Sequence, residues 1–149
     1  MPYNKTDVFN LSLEKCLNRI NDINAAKATA QDAILNDTKS SMGDKYETSR
    51  EMAQQELNRL QNQLQQAEAD LEKLKNLNLN PTQLVSLGSI VLTKQFDYFI
   101  SISIGPLKIE DKTIMVISKE SPIGSLLMGK KVGDQVPFND KILEVVQIL

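Results

Sequence analysis

Apolar residues in the first half of the chain return every three or four positions. Leu13, Cys16, Ile20, Ile23, Lys27, Ala30 and Ile34 follow a 3-4 alternation with one lysine in the row, and Ala53, Leu57, Leu60, Leu64, Ala67, Leu71 and Leu74 repeat it. This spacing lines one side of a helix and makes a coiled-coil seam. It predicts one helix over roughly residues 12–38 and a second over roughly 45–76, with Gly43 breaking the pattern between them. Joined by a short polar turn, two such helices cover each other's seams as an antiparallel hairpin about 40 Å long at about 1.5 Å per residue. Residues 40–47 then form its tip. A parallel dimer satisfies the same periodicity, but Lys27 on the seam and the break at Gly43 favour the hairpin.

The pattern changes near residues 76–88, "NLNLNPTQLVSLG", after which come β-branched runs and most of the glycine and proline. "SIVLTKQ" (89–95), "YFISISI" (98–104) and "TIMVISK" (113–119) read as strands, the second alternating Ile100, Ile102 and Ile104 with Ser101 and Ser103 as a strand with one buried face does. In "SPIGSLLMG", Ser121 suits a helix cap, Pro122 the first helical position and Gly129 the stop. "DQVPF" and "KILEVVQI", separated by Asn139 and Asp140, predict a closing hairpin. The expected architecture is α followed by α+β. Residues 1–78 form a coiled-coil hairpin, 79–84 a linker, and 85–149 a small domain with a mostly antiparallel sheet around one short helix.

Composition removes whole classes of chemistry. The 149 residues include one cysteine, no histidine and no tryptophan, which excludes a disulfide framework, Cys/His zinc sites and His-dependent nucleophile systems. With 17 basic and 19 acidic residues the net charge is −2, so bare DNA is not the default partner. No apolar run has the length of a signal-peptide core or a membrane span, and the expected location is cytoplasmic, away from membranes.

One pair of acids stands out. Asp44 and Glu47 follow Gly43 at the expected tip, three residues apart. With Asp44 as the cap and Glu47 at the third helical position they form a capping-box pattern that satisfies free backbone N–H groups. Exposed at the end of a hairpin, they are also hard oxygen donors of the kind Mg²⁺ takes. Spacing alone leaves both roles open.

"VSLGSIV" and "ISKESPIGSLLMGKKVGDQV" (117–136) resemble the FKBP-like C-terminal domain of the bacterial Gre transcript cleavage factors, and "GDKYE" resembles the Gly-Asp-x-x-Glu at the tip of the Gre coiled-coil hairpin. The domain order agrees. The resemblance implies a transcription elongation factor, inactive as an enzyme alone, that enters the secondary channel of RNA polymerase. There Asp44 and Glu47 would share a second Mg²⁺ with the polymerase and promote hydrolysis of a backtracked transcript near the RNA 3′ end. It also implies that Glu120, Ser121, Pro122 and Ile123 lie in the polymerase-docking loop. Lys39, Lys45 and Arg50 flank the tip and can steer it toward RNA phosphate, or simply solvate the helix.

After the acids, Thr48, Ser49, Arg50 and Glu51 replace the residues usual in Gre tips, which motivates an alternative in which docking persists without cleavage. An FKBP-like fold also raises prolyl isomerase activity, for which the domain offers only Phe96, Tyr98, Phe99 and Phe138 as pocket aromatics. A third alternative is a coiled-coil adaptor that pairs its stalk with another chain. A self-covering hairpin in a monomer is the expectation against it. Lys130 and Lys131 fall in a Gly-flanked turn where solvated lysines are usual, and Cys16 on the seam reads as a small core hydrophobe.

Overall fold

The computed structural model describes the backbone of residues 3–37 and 43–149 and the side chains of 3–35 and 48–149. Two long helices come first, α1 (Lys5–Asp37) and α2 (Gly43–Lys75). A six-stranded sheet follows, made of β1 (Ile90–Thr93), β2 (Asp97–Ser101), β3 (Gly105–Ile109), β4 (Lys112–Ser118), β5 (Gln135–Phe138) and β6 (Lys141–Ile148), with α3 (Pro122–Leu127) between β4 and β5. The chain divides into two compact units, Cys16–Leu71 and the combination of Met1–Lys15 with Glu72–Leu149.

In the helical unit the predicted seam is the buried seam. Cys16, Ile23, Ala30, Leu60, Leu64 and Ala67 are buried, and Ile20, Lys27, Ile34, Ala53, Leu57 and Leu71 are partly covered. The Cys16 thiol donates to the Ala67 carbonyl and Lys27 Nζ donates to Gln61 Oε1 at 2.7 Å, so positions rise on one helix as they fall on the other. The helices are antiparallel within one chain. Arg19 reaches Asp70 at 3.2 Å and adds a partly buried ion pair across the seam.

α1 begins seven residues before the predicted start at Ser12. Asn4 Oδ1 accepts from the backbone N–H groups of Thr6 (3.0 Å) and Asp7 (3.3 Å), a cap that needs no apolar periodicity to announce it. The added turns carry Val8, fully buried, and follow Tyr3, 3% exposed. Both belong to the second unit, where with Leu11, Leu77 and Leu79 they cover one face of the sheet.

The strand order is β3-β4-β2-β1-β6-β5, antiparallel throughout except for the parallel pair β2 and β4. Alternate residues of the central strands serve different cores. Ile90, Leu92, Phe99, Ile114 and Val116 meet Tyr3 and Val8 on one face. Val91, Tyr98, Ile100, Leu143 and Val145 meet Ile123 and Leu127 on the other. The one-sided burial expected of residues 98–104 is therefore corrected, because β2 lies between two strands with both faces covered and is buried from Tyr98 to Ser101. β2 ends at Ser101, and β3, unpredicted because it opens with Gly105 and Pro106, forms an edge. β1 ends at Thr93, whose hydroxyl closes a turn by accepting from Phe96 N at 3.0 Å. The expected β5–β6 hairpin is present, with Asn139 (φ 50°) and Asp140 (φ 61°) supplying the left-handed pair its turn requires.

Candidate functional site

Helical backbone starts at Gly43, so Asp44 and Glu47 both lie within the opening turns of α2, three residues apart. This corrects the placement of Asp44 as the cap preceding the helix. The side chains of Asp44, Lys45 and Glu47, and Lys39 altogether, lie outside the described residues. The helix start is where backbone N–H groups are unsatisfied and the macrodipole favours carboxylates, whatever else those carboxylates do. Arg50 is exposed one turn further along α2. Among the described residues no group of three or more His, Cys, Asp or Glu side chains could hold a metal.

The β4–α3 loop is described in full. Ser121 Oγ accepts from Gly124 N at 3.0 Å and donates to Ser118 O at 2.8 Å, so one hydroxyl caps α3 and ties it to the end of β4. The expected cap at Ser121 and Pro122 at the helix start are both observed. Glu120 and Pro122 are exposed and Ser121 is half-buried, whereas Ile123 is 8% exposed and packs with Leu127 in the sheet core. Of the four residues assigned to the loop, Ile123 anchors it and the others present it.

Several residues escaped the sequence reading. Gly124 is one, since a Cβ there would lie 2.1 Å from the Ser118 carbonyl oxygen. Its sequence signal is a glycine inside a helix only six residues long. Asp134 is another. Its carboxylate accepts from Lys131 N at 2.9 Å and closes the turn in which Gly129 (φ 80°) and Gly133 (φ 95°) take left-handed conformations. Tyr3 is the third, donating its hydroxyl to Asp97 Oδ2 with Lys112 Nζ 5.6 Å from its ring centre. Burial first, and then the hydrogen bond and charge of Asp97, hold the Tyr3 hydroxyl well above the usual phenol range.

The remaining candidates resolve into structure. Cys16 is buried at 3% exposure, and burial, then the nearby Asp70 charge, pushes its thiol up, which disfavours the reactive thiolate. The four aromatics do not share a pocket. Phe99 faces the α1 side of the sheet, Tyr98 and Phe138 the α3 side, and Phe96 is 50% exposed in the β1–β2 turn. A cleft of about 640 Å³ lies beside the start of α1, lined by Tyr3, Lys5, Leu79, Gln147 and Leu149 among others. Lys5 Nζ spans it to the Leu149 carbonyl at 2.9 Å, and burial lowers the lysine's pKa.

Sequence relatives bear on this hairpin-and-sheet arrangement. The transcription elongation factor GreA of Clostridium acetobutylicum is 42% identical over 83 residues, 54% of this chain and 49% of that protein. This chain is similar over part of its length to proteins named transcription elongation factor GreA. GreA of Clostridium novyi is 44% identical over 70 residues, 43% of this chain and 44% of its own. The chain spans about half the length of the curated relatives it matches. No protein-family profile matches the chain. The structure of the transcription factor Gfh1 aligns over 91% of this chain and 92% of its own with a TM-score of 0.39 and 20% identity, and Gfh1 of Thermus thermophilus over 92% and 94% with a TM-score of 0.36 and 20% identity. No helix among the described residues is long and apolar enough to cross a membrane.

Proposed function

We propose that this chain is a factor of bacterial RNA polymerase that enters the secondary channel with its hairpin and stimulates cleavage of backtracked transcripts in the cytoplasm. The observation that carries the reading is the position of the Gly43-Asp44-x-x-Glu47 stretch where α2 begins, at the turn of an antiparallel hairpin of two 33-residue helices, in a chain similar over part of its length to factors named for transcription elongation. Two carboxylates one helical turn apart supply part of a hard-oxygen shell and not a whole one. That fits an ion shared with a partner's own carboxylates, since Mg²⁺ takes a few protein oxygens and keeps its waters. When bound, the ion would supply Lewis-acid charge at the scissile phosphate. In this reading Asp44 would hold it and Glu47 would orient the attacking water, while Lys39, Lys45 and Arg50 would steer the tip through the channel's field. The chain is then an activator acting as a monomer, with catalysis completed by the polymerase.

The test is cleavage of 3′-labelled RNA in backtracked complexes of the cognate polymerase with wild type, Asp44→Asn and Glu47→Gln. Acceleration by wild type, lost by at least tenfold in both variants at unchanged polymerase affinity, is the expected result. A wild type that binds and slows synthesis without cleavage establishes instead a channel-occupying inhibitor. That second reading is favoured by the departure at Thr48, Ser49, Arg50 and Glu51. The adaptor reading has less support, because the seam is covered within one chain.

A further inference from the structure

Three segments from distant parts of the chain wall the cleft beside the start of α1. Asn4 and Lys5 come from the helix start, Leu79 from the segment after α2, and Gln147 and Leu149 from the end of β6. All of them belong to one compact unit. Each wall is held by hydrogen bonds. Asn4 Oδ1 accepts from Thr6 N and Asp7 N, and Asn80 N donates to Asn78 Oδ1 at 3.1 Å, turning the chain around Leu79. Leu149 N donates to Ile90 O at 2.8 Å and Ile90 N donates back to Leu149 O at 3.2 Å, which fixes the end of β6. At about 640 Å³ the cleft has the size of a small-molecule site, roughly 300–1,000 Å³.

The fixed polar groups of this cleft are donors. A lysine ammonium has three N–H groups, and Lys5 Nζ gives one of them to Leu149 O at 2.9 Å. That carbonyl, which also accepts from Ile90 N, has both lone pairs engaged. Asn4 commits its Oδ1 to the helix backbone, so the group it has left to offer is the Nδ2 amide, again a donor. The Tyr3 hydroxyl is engaged with Asp97 Oδ2. Among the described residues no Asp or Glu lines the cleft. Burial lowers the Lys5 pKa, so the ammonium is held where a counter-ion is favoured. The rest of the lining includes the apolar Leu79, Pro81 and Ile148.

This chemistry narrows the occupant. One ammonium matches one negative charge, whereas a phosphate dianion or a polyphosphate would bring charge that the cleft leaves unpaired. Tyr3 is 3% exposed and gives no open aromatic face for a base to stack on. We propose that the cleft is a binding site for a small aliphatic monocarboxylate, its carboxylate held by Lys5 Nζ and Asn4 Nδ2 and its hydrocarbon against Leu79 and Pro81. Such a ligand bridges segments that come together only in the folded chain, so it stabilises the sheet unit. The site does not depend on the proposed function, and its test uses the chain alone.

The test follows isotope-labelled full-length chain by NMR during titration with octanoate and, separately, with octanamide, which has the same hydrocarbon and no charge. Octanoate should give saturable shifts confined to the cleft residues, with intermolecular NOEs to the Leu79 methyl groups and the Lys5 methylenes. Octanamide should bind about tenfold more weakly, since it lacks the charge-assisted hydrogen bonds. Lys5→Gln should lower octanoate affinity to that of octanamide and leave octanamide unchanged. Lys108→Gln, an exposed lysine of β3 outside the lining, should change neither. The NOEs are read in wild type, so the result does not depend on how well Lys5→Gln folds. Octanoate shifts that are absent or scattered over the surface overturn the site, as does equal affinity of wild type for the two probes. Octanoate binding that Lys5→Gln leaves unchanged overturns it too.

Discussion

At Gly124 a single hydrogen atom decides whether the β4–α3 loop exists. The Ser118 carbonyl lies where a Cβ would be, at 2.1 Å, and Ser121 Oγ is 2.7 Å from the same point. Gly124→Ala should therefore destabilise the sheet unit by about 2–3 kcal/mol or more, read from denaturant unfolding, since backbone and not a flexible side chain must move. Ser121→Ala should cost about 1 kcal/mol through the lost cap, with the loop retained. Tyr3 makes a different kind of prediction. Its phenol is held above the ordinary value of about 10, so the folded state binds its proton more tightly than the unfolded chain does. The resulting stability is complete below pH about 10 and is lost as pH rises beyond it, with Tyr98, raised by burial, acting in the same direction. Tyr3→Phe should flatten that alkaline loss and cost about 1 kcal/mol at neutral pH, measured as unfolding free energy from pH 7 to 11. The partner of Tyr3, Asp97, is 94 residues away, and no local pattern pairs them.

At the scale of elements, the hairpin shows what periodicity can and cannot decide. The heptad row named the buried seam residues Cys16, Ile23, Ala30, Leu60, Leu64 and Ala67 and missed Ala26 beside them, because burying one stripe of a helix imposes that spacing on the sequence. It also carried Lys27, which reaches Gln61 instead of a hydrophobic partner. A polar residue on a seam fixes pairing at the expense of stability. Lys27→Leu should raise the unfolding free energy of the chain by roughly 1 kcal/mol and increase self-association, the two readouts being thermal unfolding and sedimentation. The first turns of α1 were missed for the complementary reason. Between Lys5 and Leu11 only Val8 and Phe9 are apolar, too few to register as a stripe, and Val8 is buried against the sheet instead of the other helix. In the sheet, β2 was mistaken for half-buried because serines alternate with isoleucines, yet Ser101 is 4% exposed and Ile102 3%. Ser101 Oγ is buried with no hydrogen-bond partner among the described residues, so a small hydroxyl in a strand does not by itself mark a wet face. Both edge strands carry a proline, Pro106 in β3 and Pro137 in β5, which blunts further strand addition.

For the whole molecule, the decisive fact is that one compact unit contains both chain ends and the other lies between them in sequence, from Cys16 to Leu71. A fragment of residues 85–149 lacks Tyr3, Val8, Leu77 and Leu79, which cover one face of the sheet. It should bind a hydrophobic dye and unfold with reduced cooperativity, whereas residues 1–15 joined to 72–149 by a short flexible connection should retain cooperative unfolding. The sequence by itself determined the two helices, their seam, the capped α3, the closing hairpin and the candidate acids at Asp44 and Glu47. Each of these depends on neighbours within a few positions, through helical periodicity, capping or turn chemistry. Tertiary structure alone decided that β2 pairs in parallel with β4, that the root of α1 completes the sheet core, and that Val85 meets the turn after α3. Those outcomes rest on contacts between residues far apart in the chain, where the free energy of burying a surface depends on which other surface arrives to cover it.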